Sequence, residues 1–208
     1  MSDLELKFQT TMDEVGIELS KSRLMFAELR RMYDDETRGH HNLRHVEECV
    51  DMIRGSLRTT LVSPSLMEVA YYWHDVVYDA TSLTNELESA VVAASRLTQA
   101  HLKRSQIATV VEFILTYQGG VPPRSEDAKY FRDIDYWIIG SPRERYKEYM
   151  RGIEKEYRMH FDGESYRAGR MKFLKGMLQL ERIFLTDYFE ARFREDAISN
   201  ILYEIEAL

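Results

Sequence analysis

Apolar residues recur at helical spacing along most of the chain. Residues three or four positions apart share one face of an α-helix, so these stripes predict amphipathic helices with a buried side. The clearest stripes are Leu4, Phe8, Met12 and Val15, continuing past Gly16 to Leu19, Leu24, Phe26 and Leu29; Val46, Val50, Ile53 and Leu57; and Val69, Trp73, Val76 and Val77. Others cover about 85–101, 104–117, 125–139, 164–180 and 186–206. No segment alternates like a strand, so the predicted fold is all-α.

Start signals support this interpretation. Ser63 followed by Pro64 is typical of an N-cap with proline at the first helical position, and "SPRE" at 141–144 has the pattern of a capping box. Helices are therefore predicted to begin near 64 and 142. The polar segment "DDETRGHHN" precedes a helix that begins at about Asn42, and "YDATSLTNE" follows a helix that carries Trp73 to Tyr78. Clefts of helical bundles form where such helix ends meet.

Composition limits the classes of protein. The chain has 208 residues, of which 44% are hydrophobic, so we expect one domain. The net charge of −7 argues against binding of extended nucleic acid, although a local basic pocket for one nucleotide is compatible with it. We find no signal-peptide pattern and no apolar run of about 20 residues, which predicts no membrane association. Cys49 is the only cysteine and forms no internal disulfide, so the expected compartment is the cytoplasm.

Three of the six histidines lie within "RGHHNLRHVEE", residues 38–48. His41 and His45 are four positions apart and share a face if the helix has begun. Metal binding, proton transfer, and a plain solvated or capping role are all open at this point.

Two further segments place polar side chains among apolar residues. In "YYWHDVVYD", His74 and Asp75 interrupt an apolar helix, where a buried carboxylate needs a partner or a metal ion. In "FRDIDYWIIG", Asp133 and Asp135 do the same. The alternatives are a hydrogen-bonded pair at a helix surface for the first segment and a solvent-facing helix edge for the second, more readily for one aspartate than for both.

The order His45, His74-Asp75 and Asp135 resembles the metal signature of the HD superfamily of helical phosphohydrolases. A series of segments is similar to the successive motifs of one HD-type subfamily, described as predicted metal-dependent phosphohydrolases. The segments are "HHNLRHV", "WHDVVYD", "NELESA", "DIDYWIIG", "YKEYMRGIEKEY", "AGR" and "RIFLTDYFE". The resemblance implies a single HD-type helical bundle over 1–208, with a metal-site core at about 38–140 and C-terminal helices at about 142–208.

The resemblance also implies roles for individual residues. The implied ligands of one divalent ion (Mn, Co, Mg, Fe, Ni or Zn) are His45, His74, Asp75 and Asp135. By analogy with a related helical phosphodiesterase family, His41 is the proton donor to the leaving oxygen. Two imidazoles and two carboxylates would leave open coordination positions on an octahedral ion. A water molecule bound at one of these positions could be activated for attack on phosphorus.

Other polar residues are candidates for the same site. Asp79, four positions after Asp75 and on the same predicted helical face, could orient the water, and so could Glu86. The alternative is a loop residue after the helix for Asp79 and an ordinary first-turn acid for Glu86. The candidate substrate-binding residues are Arg38, Asn42, Arg44, Asn85 and Arg170. A solvated surface position is the alternative for each arginine, and a helix cap paired with Glu88 is the alternative for Asn85.

The chain also departs from the subfamily pattern. "FILTYQGG", 113–120, lacks the histidine that the subfamily often has after "ILT", which favours a single metal ion. His40 stands where a tyrosine is usual, and we assign it no role. We expect a phosphohydrolase acting on a small phosphate ester or nucleotide. The alternatives are a metal- or nucleotide-binding regulatory module without turnover and a purely structural helical protein. The apolar stripe from 183 to 205 fits a core, with a homodimer interface as the alternative.

Overall fold

The computed structural model describes residues 2–116 and 123–208. This part of the chain contains ten α-helices and no strand, so the all-α prediction is confirmed. The end of "FILTYQGG" and the last position of the 104–117 stripe lie outside the described residues. The helices are α1 (Asp3–Glu14), α2 (Leu19–Tyr33), α3 (Leu43–Met52), α4 (Pro64–Trp73), α5 (Asn85–Gln99), α6 (Arg104–Ile114), α7 (Glu126–Tyr136), α8 (Arg143–Tyr157), α9 (Gly163–Leu178) and α10 (Asp187–Ala207). A π-helical turn, Ile53–Leu57, continues α3, and a 3-10 turn, Trp137–Gly140, follows α7.

The chain divides into two compact units. The first comprises Met1–Asp35 and His41–Phe131, and the second comprises Glu36–His40 and Arg132–Leu208. A single HD-type domain over 1–208 stays a prediction. No helix in the described residues has both the length and the apolar character needed to cross a membrane.

Helix α4 is the central element of the first unit. Seven consecutive residues, Met67–Trp73, are buried, which is typical of a helix enclosed on all sides. Tyr71, Tyr72 and Trp73 are fully buried, and the ring of Phe8 packs edge-on against Tyr72 with centroids 4.7 Å apart. The carboxyl end of α4 is thereby held in place by the core.

A buried charge network also fixes α4. Glu68 is fully buried, and its Oε2 accepts hydrogen bonds from Thr11 Oγ1 at 2.6 Å and from Arg54 Nε at 3.0 Å. Its Oε1 accepts one from Arg58 Nη1 at 2.8 Å. Arg54 lies in the π-helical turn Ile53–Leu57 and Arg58 directly follows it. The turn and the residue directly after it therefore supply the two cations that pair with Glu68.

The first apolar stripe is correct for α1 but not for all of α2. Leu19 and Leu24 are 50% and 75% exposed, whereas Phe26 and Leu29 are buried. Gly16 has a φ of +91°, so the chain turns there and the phase of the stripe does not continue across it. The residues predicted to be buried therefore include two on the outer side of α2.

The predicted helix starts are confirmed, but only one start signal is correct. Ser63 is the N-cap of α4, with Pro64 in the first turn. Helix α8 begins at Arg143, with Pro142 at the N-cap, and the capping box is wrong. The hydroxyl of Ser141 donates instead to the carbonyl of Ile138 at 2.7 Å, closing the preceding 3-10 turn.

Helices α8, α9 and α10 form most of the second unit. Its core includes Tyr146 of α8, Leu174 of α9, and Phe184, Phe189 and Ile201 in the stripe from 183 to 205. These positions pack inside the unit, as the core interpretation of that stripe expects.

The segment Glu36–His40 lies against α8 at a pair of glycines. A Cβ on Gly39 would overlap the backbone of Gly152, and a Cβ on Gly152 would lie 2.8 Å from the carbonyl carbon of Gly39. The N–H groups of Gly39 and His40 donate to Glu156 Oε1 at 2.8 and 2.7 Å. Close backbone approach at this crossing therefore requires glycine at both positions.

Candidate metal centre

Three of the predicted metal ligands lie together in the first unit. Their donor atoms, His45 Nε2, His74 Nε2 and Asp75 Oδ2, are all within 4.8 Å of one another. The two Nε2 atoms are 3.2 Å apart, and Asp75 Oδ2 lies 3.0 Å from His74 Nε2 and 3.9 Å from His45 Nε2. The two histidines are buried, and 14% of the Asp75 side chain is exposed.

Helix α3 positions His45. Asn42 is the N-cap of this helix, as its predicted start requires, and its Oδ1 accepts hydrogen bonds from the N–H groups of Arg44 at 3.0 Å and His45 at 3.4 Å. Within this unit Asn42, a candidate for substrate binding, therefore orients a candidate ligand. One turn further on, Cys49 Sγ lies 3.9 Å from His45 Nδ1.

His74 and Asp75 do not lie within a helix, contrary to the sequence prediction. Helix α4 ends at Trp73, His74 and Asp75 follow it in a turn, and Val76 and Val77 form a bend after that turn. His74 Nδ1 lies 2.8 Å from the carbonyl oxygen of Tyr71, one of the last carbonyls of the helix. A carbonyl only accepts, so Nδ1 carries a proton and Nε2 is the ring nitrogen that faces the cluster.

Asp75 is held as a carboxylate. Its backbone N–H donates to Tyr33 Oη at 3.3 Å, which fixes the turn after α4. Burial alone would raise the pKa of its carboxyl, but the positive potential and hydrogen bond of His74, with His41 and His45, lower that pKa to about 2. An anionic oxygen therefore faces two imidazole nitrogens at neutral pH.

The donor set fits a divalent metal ion. Two donors that bind one ion at about 2.1 Å, with about 100° between them, lie about 3.2 Å apart. The measured separations of 3.0, 3.2 and 3.9 Å allow one ion to contact all three atoms at ordinary ligand distances of about 2.0 to 2.2 Å. Two imidazoles and a carboxylate suit several first-row divalent ions.

His41 precedes the cap of α3. Its partly buried ring stacks on Tyr78, with centroids 4.0 Å apart and an interplanar angle of 22°. The centroids of His41 and His45 are 6.3 Å apart. The candidate proton donor is therefore close to the cluster, and its ring packs on Tyr78, which was not among the predicted site residues.

Hydrogen bonds from side chains of the loop and of α5 hold the loop after the cluster in place. Ser89 Oγ accepts from the N–H of Val77 at 3.1 Å and lies 3.2 Å from its carbonyl oxygen. Asp79 Oδ1 accepts from the N–H and hydroxyl of Thr81, both at 2.7 Å, and Asn85 bonds both the N–H and the carbonyl of Asp79. These contacts give Asp79 and Asn85 a role in shaping the loop.

Two premises about this loop are wrong. Asp79 does not share a helical face with Asp75, because α4 has already ended. Asn85 does not cap α5, because Thr84 is the N-cap residue and its hydroxyl donates to Glu88 Oε1 at 2.8 Å. Glu86 is partly buried in the first turn of α5, where its charge is favourable to the helix dipole.

The remaining candidates have different surroundings. In the first unit Arg44 is 59% exposed and pairs with Glu48 at 3.3 Å. In the second unit Arg38 is buried and Asp135 is partly buried near the end of α7. The ring of His40, the position with no assigned role, lies edge-on to Tyr149 with centroids 4.8 Å apart.

Arg170 is engaged inside the second unit. Its Nε and Nη2 donate to the two carboxylate oxygens of Glu204 at 2.7 and 3.1 Å, and its Nη1 donates to Tyr149 Oη at 3.2 Å. Both members of the ion pair are buried. These contacts give Arg170 a structural role in joining α9 to α10, in place of the solvated position that was its alternative.

Asp133 is not at a solvent-facing edge. It is fully buried, and its carboxylate accepts hydrogen bonds from the N–H of Leu185 at 2.8 Å and from the N–H and hydroxyl of Thr186 at 2.7 and 2.8 Å. Burial raises the pKa of this carboxyl although these bonds oppose the change. Thr186 is the N-cap of α10, so Asp133 anchors the start of that helix.

Four neighbours of the cluster were not among the predicted site residues: Tyr33, Cys49, Tyr71 and Tyr78. Cys49 could have been found, because it is four positions after His45 on one helix. The other three had no signal, since an aromatic residue in an apolar stripe is explained by the core.

Comparison with known proteins gave no relative. No protein-family model, no curated protein and no solved structure matches the chain.

Proposed function

We propose that the protein is a divalent-metal-dependent phosphohydrolase that acts on a small phosphorylated compound, with nucleotides as the substrate class. The proposal is carried by the convergence of His45 Nε2, His74 Nε2 and Asp75 Oδ2 within 4.8 Å. These are the residues that the HD resemblance marks as ligands. The resemblance adds Asp135 as a predicted fourth ligand.

The chain's own residues prepare this cluster for a cation. His74 Nδ1 donates its proton to the Tyr71 carbonyl, which leaves Nε2 as the ring nitrogen that can bind a metal ion. The low pKa of Asp75 keeps a negative charge beside it. When bound, a divalent ion supplies Lewis acidity toward a phosphoryl oxygen and lowers the pKa of a coordinated water toward neutrality.

His41 is the proposed proton donor to the leaving oxygen. An imidazole titrates near neutral pH and can give a proton at the working pH of most enzymes. Its stack on Tyr78 limits the ring's orientation, and its partial burial leaves an edge accessible to a ligand. Asp79 and Asn85 shape the adjoining loop in this proposal.

Phosphate release tests the proposal. Metal-free protein is supplied in turn with Mn²⁺, Co²⁺, Mg²⁺, Ni²⁺, Fe²⁺ or Zn²⁺ and screened against nucleotides and generic phosphate esters. We expect turnover with at least one ion, a loss of about 100-fold or more in His74→Ala and in Asp75→Asn, and no change in the exposed control His160→Ala. His41→Gln should lower kcat by about 10²- to 10⁴-fold with metal affinity retained.

Two other outcomes would replace the proposal. Metal binding without turnover would favour a regulatory module, the alternative suggested by the missing histidine in "FILTYQGG". Absence of any divalent-ion binding would exclude both functions. Asp135→Asn tests the predicted fourth ligand separately, because unchanged metal affinity in that variant would remove only Asp135 from the set.

A further inference from the structure

The second unit contains a groove of about 310 Å³ that no part of the proposed phosphohydrolase chemistry uses. Residues of α8, α9 and α10 line it, with Arg158 directly after α8. Four of the lining residues are cationic: Lys147, Arg151, Arg158 and Arg167. The groove is therefore basic in a protein whose net charge is −7.

The lining carboxylates do not balance these cations. Glu204 is buried and already bonded to Arg170, which is not among the lining residues. Glu154 lies 3.7 Å from Arg158, a long ion pair between side chains that are about half exposed. No ion pair found in the described part of the chain includes Arg151 or Arg167. Arg151 and Arg167 are exposed side chains of the groove, and the charge of Arg151 also acts on the exposed carboxylate of Glu144.

Two of the lining arginines approach the same glycine, Gly163. Arg158 Nη1 and Arg167 Nη1 lie 3.0 and 3.4 Å from the position that a Cβ on Gly163 would occupy. Gly163 is the first residue of α9, and the carboxylate of the N-cap Asp162 accepts from the N–H of Ser165 at 2.8 Å. The hydrogen bond from Ser165 and, to a smaller extent, the charge of Arg158 lower the pKa of this carboxyl, so Asp162 offsets part of the positive charge beside Gly163. Guanidinium groups that face one point repel each other, and an anion between them removes that repulsion.

Tyr203 adds a flat wall to the same groove. Lys147 lies 5.7 Å from the centre of its ring, and Arg143 lies 4.4 Å from it. Lys147 also pairs with Glu144 at 2.8 Å on the outer side of α8. The basic character of the groove therefore extends along α8 to the ring of Tyr203.

We propose that this groove binds a small polyanion that carries two or more phosphate groups. Paired arginine forks match the spacing and charge of phosphate oxygens, and their charge-assisted hydrogen bonds are about twice as strong as neutral ones. One phosphate group lies between Arg158 and Arg167, and a second reaches Arg151. The site belongs to the second unit and does not depend on the proposed function.

Calorimetric titration with inorganic tripolyphosphate tests this site. The full chain is used in its metal-free form with excess chelator, so that neither turnover nor the His74 cluster contributes. We expect the double variant Arg158→Gln, Arg167→Gln to weaken binding by about tenfold or more. The matched control Arg23→Gln, Arg31→Gln removes the same charge from exposed positions of α2 and should change affinity by less than about twofold.

The remaining outcomes are decisive in either direction. Equal weakening in the double variant and its control would mean that net charge alone attracts the polyanion, and would overturn the proposal. Binding lost in His74→Ala but kept in the arginine double variant would place the anion in the first unit and would also overturn it. Arg151→Gln, an exposed position, gives a second measurement with an expected loss of about threefold to tenfold, should the double variant fold poorly.

Discussion

Replacing Asp75 with asparagine removes the anionic donor of the His45–His74–Asp75 cluster and keeps the size of the side chain. Asp75 Oδ2 lies 3.0 Å from His74 Nε2. In the Asp75→Asn variant, a metal ion bound beside these atoms would no longer contact a negatively charged ligand. Loss of such a donor should weaken metal binding by about 100-fold, or about 2.7 kcal/mol. The histidines remain, so weak binding should persist.

Thermal unfolding converts this loss into a measurable shift. At a free metal concentration about 100 times the dissociation constant, the wild-type protein gains about 2.7 kcal/mol. For a chain of 208 residues each kcal/mol raises the Tm by about 2 to 4 °C, so the metal should raise it by about 5 to 11 °C. At the same concentration Asp75→Asn gains about 0.4 kcal/mol, which corresponds to about 1 °C.

The assay is calorimetric melting of metal-free protein with and without Mn²⁺, Co²⁺ or Zn²⁺. The difference between the two Tm values is compared, so that the effect of the substitution on the metal-free protein cancels. Asp13→Asn, at an exposed position of α1, is the matched control and should keep the wild-type shift. A shift in Asp75→Asn equal to that of the wild type, or no shift in the wild type with any ion, would refute the assignment of the cluster.

Three further substitutions test other parts of the structure. Glu68→Gln should lower the free energy of unfolding by about 3 kcal/mol in urea titration, because two arginines lose their buried partner; a loss under about 1 kcal/mol would contradict this. Gly39→Ala should cost about 2 kcal/mol or more through overlap with the backbone of α8, whereas Gly169→Ala, with no atom within 4 Å of the new Cβ, should be neutral or stabilising. Tyr78→Leu should lower kcat about threefold to tenfold with metal affinity unchanged, since the stack on His41 is lost; unchanged kcat would remove Tyr78 from the site.

The helices could be predicted because their information is local. The stripe Val46, Val50, Ile53 and Leu57 is buried at every position, and Ser63 with Pro64 marks the start of α4 correctly. An amphipathic pattern states which face must be covered without stating what covers it.

The roles of the two aspartates in "FRDIDYWIIG" could not be separated in the same way. Asp133 accepts hydrogen bonds from Leu185 and Thr186. Both donors lie more than fifty residues further along the chain. Nothing in the local pattern distinguishes an aspartate that anchors a helix from one that binds a metal ion. Asp135 was predicted to be a metal ligand only because of the resemblance to the HD motif.

The end of α4 at Trp73 was missed for a related reason, and it is the feature on which the candidate site depends most. The apolar residues Val76 and Val77 extend the stripe, so the pattern predicts a longer helix. Adjacent residues of an α-helix point about 100° apart around its axis. In the turn that actually follows Trp73, the side chains of His74 and Asp75 bring Nε2 and Oδ2 within 3.0 Å of each other.

That turn is specified by tertiary contacts. Tyr33 Oη accepts from the N–H of Asp75 at 3.3 Å, and Ser89 bonds the backbone of Val77 at 3.1 Å. Both partners are separated from the turn by many residues, on α2 and α5. Side chains therefore bond the backbone N–H groups of Asp75 and Val77 where α4 ends, and two candidate ligands converge in the same turn. The cluster therefore forms through packing in the first unit. From the sequence, its candidate ligands could be identified only because they match the HD motif.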